Sequence, residues 1–525
     1  MASSEVVEPM LASPRTRLSS ERELVVIVQQ KVGLRVSATG LAASNQPFLK
    51  RLREVLAESN ASVRPLFGAD ASRLRFESTA PPMQGVRIPD LSGYYKIDAP
   101  EEQLETIANK LRATDEVRAA YIKPATEPAY LNAMLPSTTS APRKTPDFRA
   151  RQNYLDPSPT GIDAQYAWNH PGGKGKDVRI IDIEGEWRFS HEDLRLNKGG
   201  VVGGTVPNDQ GWRNHGTAVI GEFGADDNSI GVIGICPEAE VSGISIFPKL
   251  GSSEAIRLAA TRLRPGDIIL IELHRAGGRH GFQERDDQLG YIPIEWWPDD
   301  FDVIRFATSR GIVVVEAGGN GAENLDDSLY DSAQDGFPEN WTNPFKRSNR
   351  DSGAIVVGAG APPPGTHGHD HGPDRSRLDF SNYGEVIDVQ GWGREVTTCG
   401  YGDLQGGTNE DFWYTDEFSG TSSASPIVVG AIGCIQGILR SQGRPVLKPA
   451  DLRKLLRATG SPQEDAPGRP MAQRIGNRPD LRQIILGLTG SAAAPRKGRS
   501  VAPSKTERRK SRRPAKSEKR TKGLD

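Results

Sequence analysis

Three residues far apart in the chain have the types that acyl-transfer chemistry needs: an acid at Asp182, a base at His215 and a hydroxyl at Ser422. A serine hydroxyl is a weak nucleophile at neutral pH and requires a neighbouring base. Histidine titrates near neutrality, so it can take that proton and later return it to a leaving group. A carboxylate behind the imidazole would hold its tautomer and stabilise the imidazolium. Taken singly, each has a plainer reading. An Asp ending a strand is commonly a cap or turn residue, a Gly-Thr-Ser before a helix is an N-cap, and an Asn between glycines, as at Asn320, is a turn residue. Their joint occurrence in this order is what points to chemistry.

The segments around these residues explain how they could meet. KDVRIIDIEGEW (176–187) and RGIVVVEAGGNG (310–321) read as short buried strands that end in Asp182 and Asn320. NHGTAVIGEFGAD (214–226) places His215 ahead of a small-residue helix, and FSGTSSASPIVVGAIGCIQGIL (418–439) places Ser422 at the mouth of a long apolar helix. Near-continuous apolar strands alternating with helices predict a doubly wound, mostly parallel α/β sheet. Ligands in such sheets bind beyond the carboxyl ends of the strands.

Ile-Asp182, His215-Gly-Thr and Gly-Thr-Ser422-Ser-Ala-Ser-Pro together resemble the motifs of the subtilisin-like (S8) serine peptidases, over roughly 159–488. The resemblance implies a serine endopeptidase acting through an acyl-enzyme on Ser422, with His215 and Asp182 completing the triad. It implies that Asn320 and the Ser422 N–H stabilise the oxyanion, and that the chemistry needs no cofactor. The chain departs from the family after Asp182, where Ile183-Glu184-Gly185-Glu186 replaces the usual Ser/Thr-Gly. Glutamates there bring to mind the sedolisin peptidases, which use Glu in place of His. The complete His-Gly-Thr motif argues against that assignment, and Glu184 and Glu186 are read as acids on the cleft rim. Ser423 stands where the family often has methionine.

By position, the resemblance assigns Leu273 and His274 to the strand that pairs with substrate, and Ala317, Gly318 and Gly319 to the facing wall. Glu272, Glu316, Asp326, Asp327 and Asp331 are in this part of the sequence. They would make an acidic floor suited to Arg or Lys, unless they are simply solvated. HEDL (191–194) and DDNSIGVIG (226–234) resemble the family's calcium site, with Asp193 and Asn228 side chains, Ile230 and Val232 carbonyls, and Asp226 nearby. Oxygen-only ligation suits a hard cation; the other reading is an Asx-type turn without metal. THGHDHGPD (366–374) is compatible with zinc or nickel, or with a flexible surface loop. IPIEWWPDD (292–300) and 400–417 read as insertions, the former as a cleft lip.

Upstream, LVVIVQQKVGLRV (24–36), PFLKRLREVLAE (47–58), DLSGYYKIDA (90–99), PEEQLETIANKLRA (100–113) and EVRAAYIKPA (116–125) alternate strand and helix patterns. They predict a small ferredoxin-like α+β sandwich over 23–126. Its position before the catalytic region resembles the family's propeptide, an intramolecular inhibitor. A Pro/Ser/Thr-rich linker (127–158) carries Arg143, Lys144, Arg149 and Arg151 and would suit self-cleavage. This divides the chain into 1–22, 23–126, 127–158, 159–488 and a basic tail, 489–525. From Ser491 onward there are 13 Lys/Arg against 3 Asp/Glu, although the 525 residues sum to a net charge of -1. So polar a tail is expected to be disordered, either solubilising or attached to nucleic acid or an acidic partner. With no window of about 18 apolar residues, no membrane-spanning helix is expected. The first residues have no secretory h-region, and a cytoplasmic location is the expectation. The three cysteines read as buried free thiols. Two alternatives remain open: a catalytically silent scaffold on a peptidase fold, and a processing protease with one dedicated partner.

Overall fold

The computed structural model describes residues 20–37, 40–81, 87–129 and 144–490. Expectations for the N-terminus before Ser20, for most of the linker including Arg143, and for the basic tail lie outside these residues.

The N-terminal elements are β1 (Glu23–Val28), α1 (Gln46–Glu58), β2 (Ser62–Pro65), α2 (Ala71–Ser78), β3 (Tyr94–Asp98), α3 (Leu104–Arg112) and β4 (Val117–Lys123). The strands form an antiparallel sheet in the order β2-β3-β1-β4, the ferredoxin-like arrangement. The unbroken apolar run of β1 reflects burial on both faces. Leu24, Val26 and Val28 face a core containing Phe48, Leu52 and Ile107 of α1 and α3. Val25 and Ile27 face the opposite way, into a core shared with Ile256, Trp296 and Trp297. The period-2 alternation of a strand makes both contacts available to one segment. The next strand, β5 (Thr126–Pro128), leaves this sheet and joins the larger body.

The body contains β6 (Arg179–Glu184), β7 (Lys198–Gly203), α4 (Gln210–Gly224), β8 (Glu240–Ser245), α5 (Gly251–Arg262), β9 (Ile268–Ile271), β10 (Leu273–Ala276), β11 (Tyr291–Pro293), α6 (Pro298–Ser309), β12 (Val313–Ala317), β13 (Ile355–Gly360), β14 (Ile387–Trp392), β15 (Val396–Cys399), β16 (Tyr414–Phe418), α7 (Thr421–Ser441), α8 (Pro449–Ala458) and α9 (Leu481–Gly490). Seven parallel strands run β14-β13-β12-β9-β6-β8-β7, as the strand–helix alternation predicts. Helices α4 and α7 pack together on one side, and α5 with α6 on the other. Helix α7 has the length and apolarity of a membrane span, but its apolar window is wholly buried as the central core helix. Trp296 and Trp297 are also core residues, so 292–300 is not a lip. Its strand β11 flanks β10 instead.

A buried charge cluster lies between the N-terminal sheet and the body. Lys123 reaches Asp299 (2.5 Å) and Asp300 (2.9 Å) at the start of α6. Arg275 of β10 reaches Glu23 (3.0 Å), which also holds Lys96 (2.7 Å). All these side chains are essentially excluded from solvent.

Candidate active site

Strand β6 carries Asp182 and Glu184 on one face because alternate residues of a strand point the same way. Both are fully buried. Asp209 caps α4 by accepting the Trp212 N–H (2.9 Å), which places His215 in the second turn. A Cβ on Gly216 would lie 2.3 Å from the Glu186 carbonyl oxygen, so glycine lets this helix lie against the end of β6. The result is a 2.6 Å contact between His215 Nδ1 and Glu184 Oε2.

This corrects the assignment of Asp182 to the imidazole. Asp182 accepts the Trp187 indole N–H (2.7 Å) and lies close enough to Glu184 for the two carboxyl groups to repel one another. Glutamate is a methylene longer and stands two residues closer to the carboxyl end of the strand, so it is the acid that reaches. Glu184 is therefore not a rim acid. Glu186, nearer the surface, pairs with Arg213 (2.8 Å) and accepts the Asp209 N–H.

Ser422 lies in the first turn of α7, after Gly420 at φ 115. Its N–H points at the carbonyl oxygen of Ala129 (3.3 Å). Its hydroxyl lies against the Glu272 carboxyl group, which accepts a hydrogen bond from Ser425 Oγ (2.5 Å). The His215 ring meets Phe418 edge-on at 5.6 Å, so the segment leading into Ser422 also seats the imidazole. Asn320 Oδ1 accepts both the N–H and the hydroxyl of Thr421 (2.9 Å each), and its amide donates to Gln288 (3.3 Å).

Burial governs the electrostatics. It pushes His215 down to about 3 and holds the ring neutral. It pushes Asp182, Glu184 and Glu272 well above the carboxylate range. Repulsion from Glu184 adds to this for Asp182, from Glu272 for Glu184, and from Asp182 for Glu272.

Strand β10 pairs with the chain's own β5: Leu273 opposes Pro128, His274 opposes Glu127 and Arg275 opposes Thr126. Gln288 donates to the Pro128 carbonyl (3.0 Å), and the Tyr291 hydroxyl donates to the Glu127 carboxylate (2.7 Å). The His274 ring lies on Tyr291 at 4.7 Å. Ala317 ends β12. The Gly318 N–H donates to Val357 and its carbonyl accepts from Asn382, while the Gly319 N–H donates to Thr421 Oγ1 (3.1 Å). The expected acidic floor does not form as a unit. Asp327 pairs with Arg279, Asp331 with Lys346, and Asp326 accepts the Glu385 N–H. Glu316 accepts the Glu295 N–H (3.1 Å) within the core. Arg149 pairs with Asp147 and Arg151 with Asp416, so neither basic linker residue enters the cleft. The residue at Ser422 is Ala129.

The sequence model of the subtilase family matches residues 159–477, which include every residue of this cluster on the body. The chain belongs to the subtilase family. It is 26% identical over 328 residues to alkaline elastase YaB of Bacillus sp. (strain YaB), covering 62% of this chain and 65% of that one. It is 26% identical over 290 residues to subtilisin Savinase of Lederbergia lenta, covering 55% and 84%. Among solved structures, fervidolysin of Fervidobacterium pennivorans superposes with a TM-score of 0.52 at 15% identity. That match covers 90% of this chain and 62% of fervidolysin, and it supports the fold. The chain thus spans just under two thirds of the elastase and of fervidolysin.

In this subtilase the calcium-like loop is closed by hydrogen bonds. Asp193 receives the Asn228 amide (2.5 Å), the Val232 N–H (2.8 Å) and the Tyr414 hydroxyl (3.1 Å). Asn228 Oδ1 is taken by the Ile230 N–H (2.8 Å). Asp226 turns to the N–H groups of Arg195 and Leu196. Donors, not carbonyl oxygens, converge on Asp193, so as arranged these residues do not fit a hard cation. The subtilase's Cys236, Cys399 and Cys434 are free and buried, and burial raises Cys236 to about 12.

Proposed function

We propose that this subtilase is a serine endopeptidase that first cleaves itself between Ala129 and Tyr130. The observation that carries this reading is the Ala129 carbonyl at the Ser422 N–H, with Thr126–Pro128 added as a strand to β10. Main-chain pairing is a sequence-tolerant way to hold a peptide, with pockets choosing among side chains. In the proposed reaction Ser422 attacks the carbonyl carbon as His215 takes its proton. Glu184 orients the ring through Nδ1 and stabilises the imidazolium. Asp182, beside Glu184 on the same face of β6 and anchored by the Trp187 indole, is a positioning residue. The Ser422 N–H at the start of α7 faces the developing oxyanion, where the helix dipole favours negative charge. Asn320, clamped to Thr421 next door, is the second donor once its amide turns from Gln288. His215 then protonates the leaving amine, and water releases the acyl group by the reverse sequence.

The N-terminal sandwich acts in this reading as an intramolecular inhibitor, because its trailing strand fills the cleft. The preference is for a small residue upstream of the cut, as at Ala129, with an acid two residues further upstream that Tyr291 and Gln288 hold, as at Glu127. Ser422→Ala is expected to leave a full-length chain. Terminal sequencing of the processed wild type is expected to begin at Tyr130. Processing of purified Ser422→Ala at the wild-type rate, or a mature terminus after a basic residue, would overturn the assignment.

A further inference from the structure

The alternating histidines of 366–374 are not a loose surface loop. Residues 366–368 make one tight turn, with His367 at φ 48. His369 Nδ1 lies 3.0 Å from Glu395 Oε2, and His371 Nε2 lies 2.8 Å from Glu395 Oε1. Ligand atoms of the three residues fall within 4.8 Å of one another. Tetrahedral zinc with bonds of about 2.0–2.2 Å spaces its ligand atoms by about 3.4 Å, so a small closure brings all three into range.

Glu395 is 5% exposed and sits at φ 56, a left-handed conformation that is costly for a residue with a side chain. Its position is held from both sides: it precedes β15 directly, and His369 and His371 meet its carboxylate. His367 stands 3.8 Å from the same carboxylate, but its ring nitrogens face the carbonyl oxygens of Asp416 (3.0 Å) and Arg151 (3.2 Å), which fixes the turn that carries the other two.

We propose that His369, His371 and Glu395 form a binding site for a divalent transition-metal ion of the zinc class. Two imidazoles and one carboxylate select borderline metals over calcium or magnesium, which take oxygen ligands. His369 is half-exposed, so the ion has an entry path and a coordination position open to water or to Glu417. The site is separate from the catalytic cluster. It joins the 366–374 turn to the β15–β16 hairpin, whose last residue, Phe418, seats His215. A bound ion would therefore cross-link the turn to the segment that delivers Ser422.

The test uses the untagged, full-length Ser422→Ala chain, stripped with chelator and titrated with zinc chloride alone. The expected result is one equivalent bound and a zinc-dependent rise in melting temperature. Equal concentrations of calcium or magnesium are expected to produce neither. The double variant His369→Ala, His371→Ala should melt as the parent does without zinc and bind zinc at least about 10-fold more weakly. His170→Ala, on a separate surface, should bind as the parent does. A second measurement needs no variant at these positions: the X-ray absorption spectrum of the zinc-loaded chain should report two imidazoles in the first coordination shell. Absence of tight zinc binding, binding undiminished in the double variant, a calcium response equal to that of zinc, or a spectrum without imidazole would each overturn the proposal.

Discussion

The cleft cluster and the calcium-like loop both bury acids, and they treat them in opposite ways. In the cleft, acids outnumber donors: Asp182, Glu184 and Glu272 crowd around His215 and Ser422, and both oxygens of Glu222 on α4 lack a hydrogen-bond partner. In the loop, one acid, Asp193, meets three donors. Buried carboxyl groups short of donors are held near the point of protonation, where they can pass or share protons. Asp193 is raised by burial too, but its donors bind it into the loop, where it holds the chain in place.

Exchanging the acids in the cleft is the most severe way to break this comparison. Glu184→Gln removes the charge behind His215 while keeping its shape, and a fall in kcat of about 10⁴ is expected, as for loss of a triad acid elsewhere. Asp182→Asn keeps the shape of the side chain and an acceptor for the Trp187 indole, and a fall below about tenfold is expected. Peptide turnover by the processed variants measures both, and the reverse ranking would restore Asp182 as the triad acid. Next in size is Asp193→Ala, which leaves the Val232 N–H and the Asn228 amide without their acceptor and the Tyr414 hydroxyl with Glu192 alone. A loss of about 2–4 kcal/mol in unfolding free energy is expected from denaturant titration, and calcium should not restore it. Tyr414→Phe removes one donor, at an expected cost of about 1 kcal/mol.

The smallest effect concerns pH. Burial raises Asp193 from the ordinary aspartate value of 3.8 to about 7 despite its donors. The folded state therefore keeps a proton that the unfolded chain has already lost. That contribution to stability is fully present below about pH 4 and is lost as pH rises through 7. Asp193→Asn should flatten the wild-type decline over this window. An unchanged slope would mean that the acids of the cleft carry it instead.

Much of this was legible in the sequence. Apolar runs ending in Asp182 and Asn320 gave the parallel sheet, and the motifs around His215 and Ser422 pointed to the family. The identity of the acid was harder to read, because the motif names a residue while the geometry selects a reach. Asp182 and Glu184 share a face, and only the lie of α4 over the strand end decides between them. The signal available was the period-2 spacing of two acids on one strand. The acidic floor is absent for a related reason. Acids near β10 and β12 in sequence are not neighbours in space: Asp327 and Asp331 pair outward with Arg279 and Lys346. Composition left 366–374 open between a metal site and a loose loop because Glu395, the residue that organises its histidines, lies more than twenty positions downstream.

The charge cluster at Lys123 has a consequence for timing. Separating the N-terminal sheet from the body would strand Asp299, Asp300 and Arg275 without the partners that now satisfy them, and each would have to regain water as the surfaces part. Opening therefore meets a high barrier even after the connecting chain has been cut. A freed N-terminal domain would have a long residence time, set by dissociation rather than by encounter. Because the charges are shielded from solvent, added salt would shorten that residence little. If the proposed self-cleavage takes place, digestion of the bound domain piece by piece would be a faster exit than its departure intact.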